Sequence, residues 1–158
     1  MVAYTDSLGF NKNSVGFPAN YTDRVSVLEI DLDFAKIAAA RTAASAAALG
    51  STDTLVIGVL PKGSFVLSGV ATVVRAEGAA GNVDVGIGGG TVDFWVDGFD
   101  LNTAVGTTGG YADATAYYCA VDTNILMTLN SASIDAARIK VSLAVVNMGA
   151  NLGVVPSA

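Results

Sequence analysis

Apolar residues recur at every second position in several short runs of this chain, and turn-forming residues separate the runs. Leu28, Ile30, Leu32 and Phe34 alternate with Glu29, Asp31 and Asp33, which puts the two sets on opposite faces of an extended strand over 25–34. Val25 and Val27 fall out of that phase, so a bulge or burial on both sides is expected where the strand starts. Thr54 to Leu60 is mostly apolar and ends at the turn Pro61-Lys62-Gly63, after which Phe65 to Arg75 carries Val66, Val70, Val73 and Val74. Val83, Val85 and Ile87 alternate with Asp84, Gly86 and Gly88, and Val92, Phe94 and Val96 with Asp93, Trp95 and Asp97. Tyr111 to Val121 is a further candidate strand. Ile125, Met127 and Leu129 form the next apolar phase, and Ile139, Val141, Leu143 and Val145 the last. One segment departs from this period. Ala35 to Leu49 is Ala-rich, follows Asp33 as a capping residue and is closed by Gly50, which predicts a short helix.

About eight strands separated by turns predict an all-β chain folded as a jelly-roll-like antiparallel sandwich. The expected organisation is an N-terminal arm over 1–23 and a single sandwich domain over 24–158. The arm holds Tyr4, Phe10, Phe17 and Tyr21 at irregular spacing among polar residues, Gly9, Gly16 and Pro18. A solvated tail has fewer aromatics. Such an arm orders by lying either on its own domain or on another surface.

Composition adds a second theme. Apolar residues make up 52% of the 158 and charged residues only 14%, against about 25% charged in an ordinary soluble domain. Part of the surface is therefore expected to be covered by a partner. The net charge of −6, with scattered Lys and Arg, argues against nucleic acid. No apolar run is long enough for a membrane helix. The polar, Gly- and Pro-interrupted start lacks the pattern of a secretory leader, so synthesis in the cytoplasm is expected.

Candidate chemistry is sparse. The chain has no His and one Cys, which removes His-based triads and leaves too few ligands for a zinc centre. Cys119 reads as a small buried apolar residue. Glu29 and Asp31 have the separation of a glycosidase pair, about 6–7 Å along a strand. The plainer reading is the charged face of an edge strand. Gly86 to Thr91 lacks the Lys and following helix of a phosphate-binding loop. Asp97 to Asn102 offers oxygens but does not match a calcium loop. No catalytic residue, cofactor or metal is expected. Trp95 falls on the polar phase of its run, where exposure would make it a contact residue; the alternative is burial on a two-sided strand.

The stretch from Asp53 onward carries a resemblance. Leu60-Pro61-Lys62-Gly63-Ser64-Phe65-Val66-Leu67, then Asp122-Thr123-Asn124-Ile125-Leu126-Met127-Thr128-Leu129, then the closing strand Arg138 to Val146, resemble small virion proteins of tailed phages, of the head-decoration or capsid-cement type. The resemblance lies in the order of elements rather than in a diagnostic motif. It implies no enzyme and no catalytic residues. It implies a viral structural protein on the capsid exterior that bridges major capsid subunits. Self-association is expected, as a homotrimer first and a dimer second. Phe10, Phe17, Tyr21 and Trp95 are the expected partner contacts. The alternative is a receptor- or carbohydrate-binding head fibre or tail protein, with Trp95, Tyr111, Tyr117 and Tyr118 as its platform.

Overall fold

The computed structural model describes residues 4–5, 10–13, 25–110, 116–131 and 133–147. In chain order the elements are β1 (Tyr4–Thr5), β2 (Phe10–Asn13), β3 (Val25–Asp33), α1 (Phe34–Ala43), β4 (Thr54–Leu60), β5 (Ser64–Arg75), β6 (Asn82–Ile87), β7 (Val96–Asp100), β8 (Thr108–Gly109), β9 (Tyr117–Tyr118), β10 (Thr123–Leu129) and β11 (Arg138–Asn147). All strand pairs are antiparallel.

Two sheets form. The larger runs β1-β2-β3-β11-β5-β8, with β9 also on β5, and the smaller runs β4-β10-β6-β7. Counted from β3, with β8 and β9 sharing one position, the larger sheet has the order first-eighth-third-sixth and the smaller second-seventh-fourth-fifth. That is the jelly-roll order of two interlocked Greek keys. The expected all-β sandwich is the observed fold.

The alternating phases explain the core. Ile30, Leu32, Val141 and Leu143 from the larger sheet meet Ile57, Ile125, Met127 and Leu129 from the smaller, all buried. Trp95, just before β7, packs onto the larger sheet at Gly69, where a methyl group would stand 2.6 Å from both Trp95 Cβ and the neighbouring strand's Leu143 Cδ2. β4 lies over β3, since a Cβ at Gly58 would approach Ile30 Cδ1 to 3.4 Å. At the other side β7 lies over β8, with Gly109 against Phe99. The larger sheet therefore continues through β2 and β1 past the edge of the smaller one.

Several expectations change. β3 shows no register shift against β11, so the expected bulge at its start is not there. Val25 and Val27 instead stay in phase with Glu29 on the outer face and are exposed. The register shifts fall in the β11–β5 and β10–β4 pairings. α1 ends at Ala43, well before Leu49, and Ser45 follows with a left-handed φ of 54°. Asp33 occupies the N-cap position but makes no capping bond with its side chain. The run 92–97 is not one strand. The chain turns through 91–95, and β7 begins only at Val96. Of the candidate strand 111–121, Tyr117–Tyr118 pairs with β5, and 111–115 lie outside the described residues.

The turn through 91–95 explains Gly86. A Cβ there would overlap the Thr91 carbonyl oxygen and the Val92 carbonyl group, which are backbone and cannot rotate away. Gly86→Ala is therefore expected to cost about 1–3 kcal/mol, by the strain of overpacking. Chemical denaturation should show a lower midpoint with an unchanged slope.

Candidate interaction surfaces

The three carboxylates of β3 do not form a catalytic pair. β3 is not an edge strand, because it sits between β2 and β11. Its register against β11 sets Asp31 opposite Lys140 and Asp33 opposite Arg138. Each carboxylate then takes one cation. Arg138 grips Asp31 with two bonds, Nε to Oδ1 at 2.9 Å and Nη2 to Oδ2 at 2.5 Å. Arg75 donates to Asp33 at 2.7 Å, and Lys140 stands 3.5 Å from Glu29. The result is a ladder of ion pairs across one end of the larger sheet's outer face. The Asp31 bond and charge raise the Arg138 guanidinium further above its ordinary value.

Burial pushes the Asp33 carboxyl up, but the hydrogen bond and charge of Arg75 outweigh it and hold the group below its ordinary value. A carboxyl lowered by folding adds stability that is present above its unfolded pKa and lost as the pH falls through the folded one. Asp33→Asn should therefore destabilise at pH 7, by less than about 1 kcal/mol because Arg75 is half exposed. The difference should narrow as the pH falls from 7 to below the ordinary carboxyl value of about 3.9. Urea unfolding at the two pH values measures it. Glu29→Gln with Asp31→Asn should leave the fold and any function intact.

The other end of the same face is apolar. Val25 (56% exposed) and Val27 (49%) pair across to Val146 and Ala144 on β11. On the outer face of the smaller sheet, Val56 (51%) and Val59 (54%) stand exposed on β4. Leu126, partly buried, is paired between Val56 and Gly86. Such strips are what a partner covers.

Of the expected contact residues, Trp95 is placed differently. It is 2% exposed, packed edge-on against Phe94 and Tyr117 at ring separations of 5.7 and 6.4 Å. Its backbone N–H donates to Val85, which draws it in from the polar phase its sequence position suggested. In this chain Trp95 is a core residue rather than an exposed anchor. Phe17 and Tyr21 lie outside the described residues. Phe10 is described only as part of β2, in register with Leu32.

Other features read as structural. Cys119 is buried, and burial raises its thiol above the ordinary value. Asp84 accepts the Gly98 N–H at 2.7 Å, and Asp100 accepts that of Asn102 at 2.8 Å, so Asp84 and Asp100 each shape a turn. Among the described residues, no cluster of metal-ligating side chains forms. No described helix is long and apolar enough to cross a membrane. A cleft of about 170 Å³ between α1 and the 133–135 loop falls below the roughly 300 Å³ of ordinary ligand sites. Sequence reasoning missed Glu77. Its buried carboxylate accepts the backbone N–H groups of Asp135, Ala136 and Ala137, at 3.0, 3.1 and 2.7 Å.

No protein-family model matches the chain. No curated protein matches it. Solved structures do share the fold. A chain of the acid-stable capsid of Helicobacter pylori bacteriophage KHP30 aligns over 79% of this chain and 89% of its own, with TM-score 0.55 and 12% identity. A chain of the cyanophage Pam1 capsid aligns over 84% and 91%, with TM-score 0.55 and 10% identity. A chain of the Ralstonia phage GP4 capsid aligns over 85% and 91%, with TM-score 0.50 and 15% identity. Each match takes in most of both chains, so the likeness is of the whole sandwich.

Proposed function

We propose that this chain is a structural protein of a phage capsid, seated on the outside of the shell, where it cements neighbouring major capsid subunits. The observation that carries this reading is the whole-chain likeness to chains from three phage capsids. The chemistry of the surface agrees with it. The carboxylates that could have served catalysis are held in ion pairs. Exposed valines lie on both outer faces, and the chain carries few charges. These are the surfaces of a protein that works by being covered. Several copies around a symmetry axis, a trimer first, would add avidity to weak single contacts. The fibre or receptor-binding reading needs an exposed aromatic platform, and the burial of Trp95 takes away its centre.

The N-terminal arm is the proposed clamp, with Phe10, Phe17 and Tyr21 as its anchors. A large side chain buried at a subunit seam contributes about 1.5–3 kcal/mol before ordering costs. Deleting residues 1–21 is expected to leave a folded domain that is retained on undecorated particles at least about tenfold less tightly, a loss of about 1.4 kcal/mol. Thermal unfolding and particle co-sedimentation check the two halves. Unfolding on deletion would place the arm in the core. Full retention by a folded deletion would assign attachment to the sandwich faces. Failure of the intact chain to bind any shell would sink the cement reading itself.

A further inference from the structure

Val56 and Val59 stand three residues apart on β4, yet both are exposed. A register shift makes this possible. Gly58 pairs with Ile125 and Val56 with Leu126, so Ile57 is the extra residue of a bulge and both valines keep to the outer face. Leu126 continues the strip across β10, and its partner on the other side is Gly86 of β6. The Val92 backbone lies over Gly86, and Val92 is exposed. An apolar strip thus crosses the outer face of the smaller sheet, from β4 to the 91–95 turn.

The charges around this strip are of one sign. No Lys or Arg stands between Arg75 and Arg138 in the sequence. That span supplies β6, β7 and β10, and β4 carries no charge at all. Asp97 on β7 and Asp122 just before β10 are exposed, and Asp93 is half-buried next to Val92. Among the described residues none of these three acids has an ion-pair partner. Lys62, on the turn after β4, is the one cation in the described connections of this sheet. The larger sheet differs. Its outer-face acids Glu29, Asp31 and Asp33 each hold a cation of the same chain. Charge matching is thus complete on one face of the sandwich and left open on the other.

We propose that the outer face of the smaller sheet is the one that seats on the shell, against an apolar strip bordered by lysine and arginine side chains. The inference rests on the capsid reading for the identity of that partner. The apolar strip supplies area to bury, and the unpaired acids at its rim select a surface that brings the missing cations. The ion-paired face of the larger sheet makes no such demand and is turned away from the shell.

Two matched variants of the full chain test it by co-sedimentation with undecorated particles. Val56→Ser with Val59→Ser alters the smaller sheet's face, and Val25→Ser with Val27→Ser the larger sheet's. All four valines are about half exposed, so both proteins should fold, which thermal unfolding checks. The first pair is expected to weaken retention at least about tenfold, and the second to leave it native. Native retention of the first pair, or the reverse pattern, overturns the proposal while the capsid reading stands. Salt tests the charge. Raising it from about 0.1 M to about 1 M shortens screening from about 10 Å to about 3 Å and should weaken retention of the native chain. Asp93→Asn with Asp97→Asn should flatten that dependence. Retention that ignores salt overturns the basic partner. If the intact chain binds no shell at all, the capsid reading fails and this inference falls with it.

Discussion

Replacing Val141 or Leu143 by aspartate is expected to unfold the protein outright. Both residues are fully buried on β11, which has β3 on one side and β5 on the other. Leu143 also packs beside Gly69, its partner on β5, where Trp95 lies over the larger sheet. Among the described residues, a carboxylate there would have no cation within the core to meet it. Burying an unpaired charge costs several kcal/mol even after relaxation. A domain of this size is stable by only about 5–15 kcal/mol. Circular dichroism should show loss of the cooperative thermal transition for either variant. A melting temperature near that of the native chain would show that the buried face of β11 has been wrongly assigned.

Glu77→Ala is the second change with a large expected effect. The carboxylate gathers three successive backbone N–H groups from the segment that leads into β11. Bonds to a charged acceptor contribute about 1.5–3 kcal/mol each, and buried donors left without a partner cost a similar amount. Because the loop can relax toward water, a loss of about 3–5 kcal/mol is expected rather than the full sum. For a chain of this length that lowers the melting temperature by about 10 °C. Glu77→Gln keeps one acceptor oxygen and should recover part of the loss. If alanine and glutamine behave alike and near native, Glu77 is not the clasp of this loop.

The strands that could be read in the sequence were those whose alternation is local. β3, β6, β10 and β11 declare themselves because each has one face against the core. What the sequence concealed depends on pairing between distant segments. Glu29, Asp31, Arg138 and Lys140 were each visible as outer-face residues. Their union depends on a register between strands 107 residues apart at the Arg138–Asp31 pair. Trp95 misled because alternation was counted through residues that turn. With Gly86 leaving space beneath them, the chain folds over β6 and buries Trp95 and Val96 in succession. Glu77 carried no spacing signature. Its one hint was an acid set alone in a stretch of Gly and Ala. The proposed interaction surface was legible as a deficit of charge, but not as a location.

The central place of β11 bears on how the protein is made. Among the described strands it is the last to leave the ribosome, and among them it alone joins β3 to β5. Until then the larger sheet exists as two unjoined halves. At about 5–20 residues per second, the 107 residues between Asp31 and Arg138 take about 5–20 s to synthesise. Throughout that interval Ile30 and Leu32 lack the strand that pairs beside them in the finished sheet. Each nascent copy thus offers chaperones a window of seconds on an incomplete apolar sheet, and a chain released before β11 cannot close it.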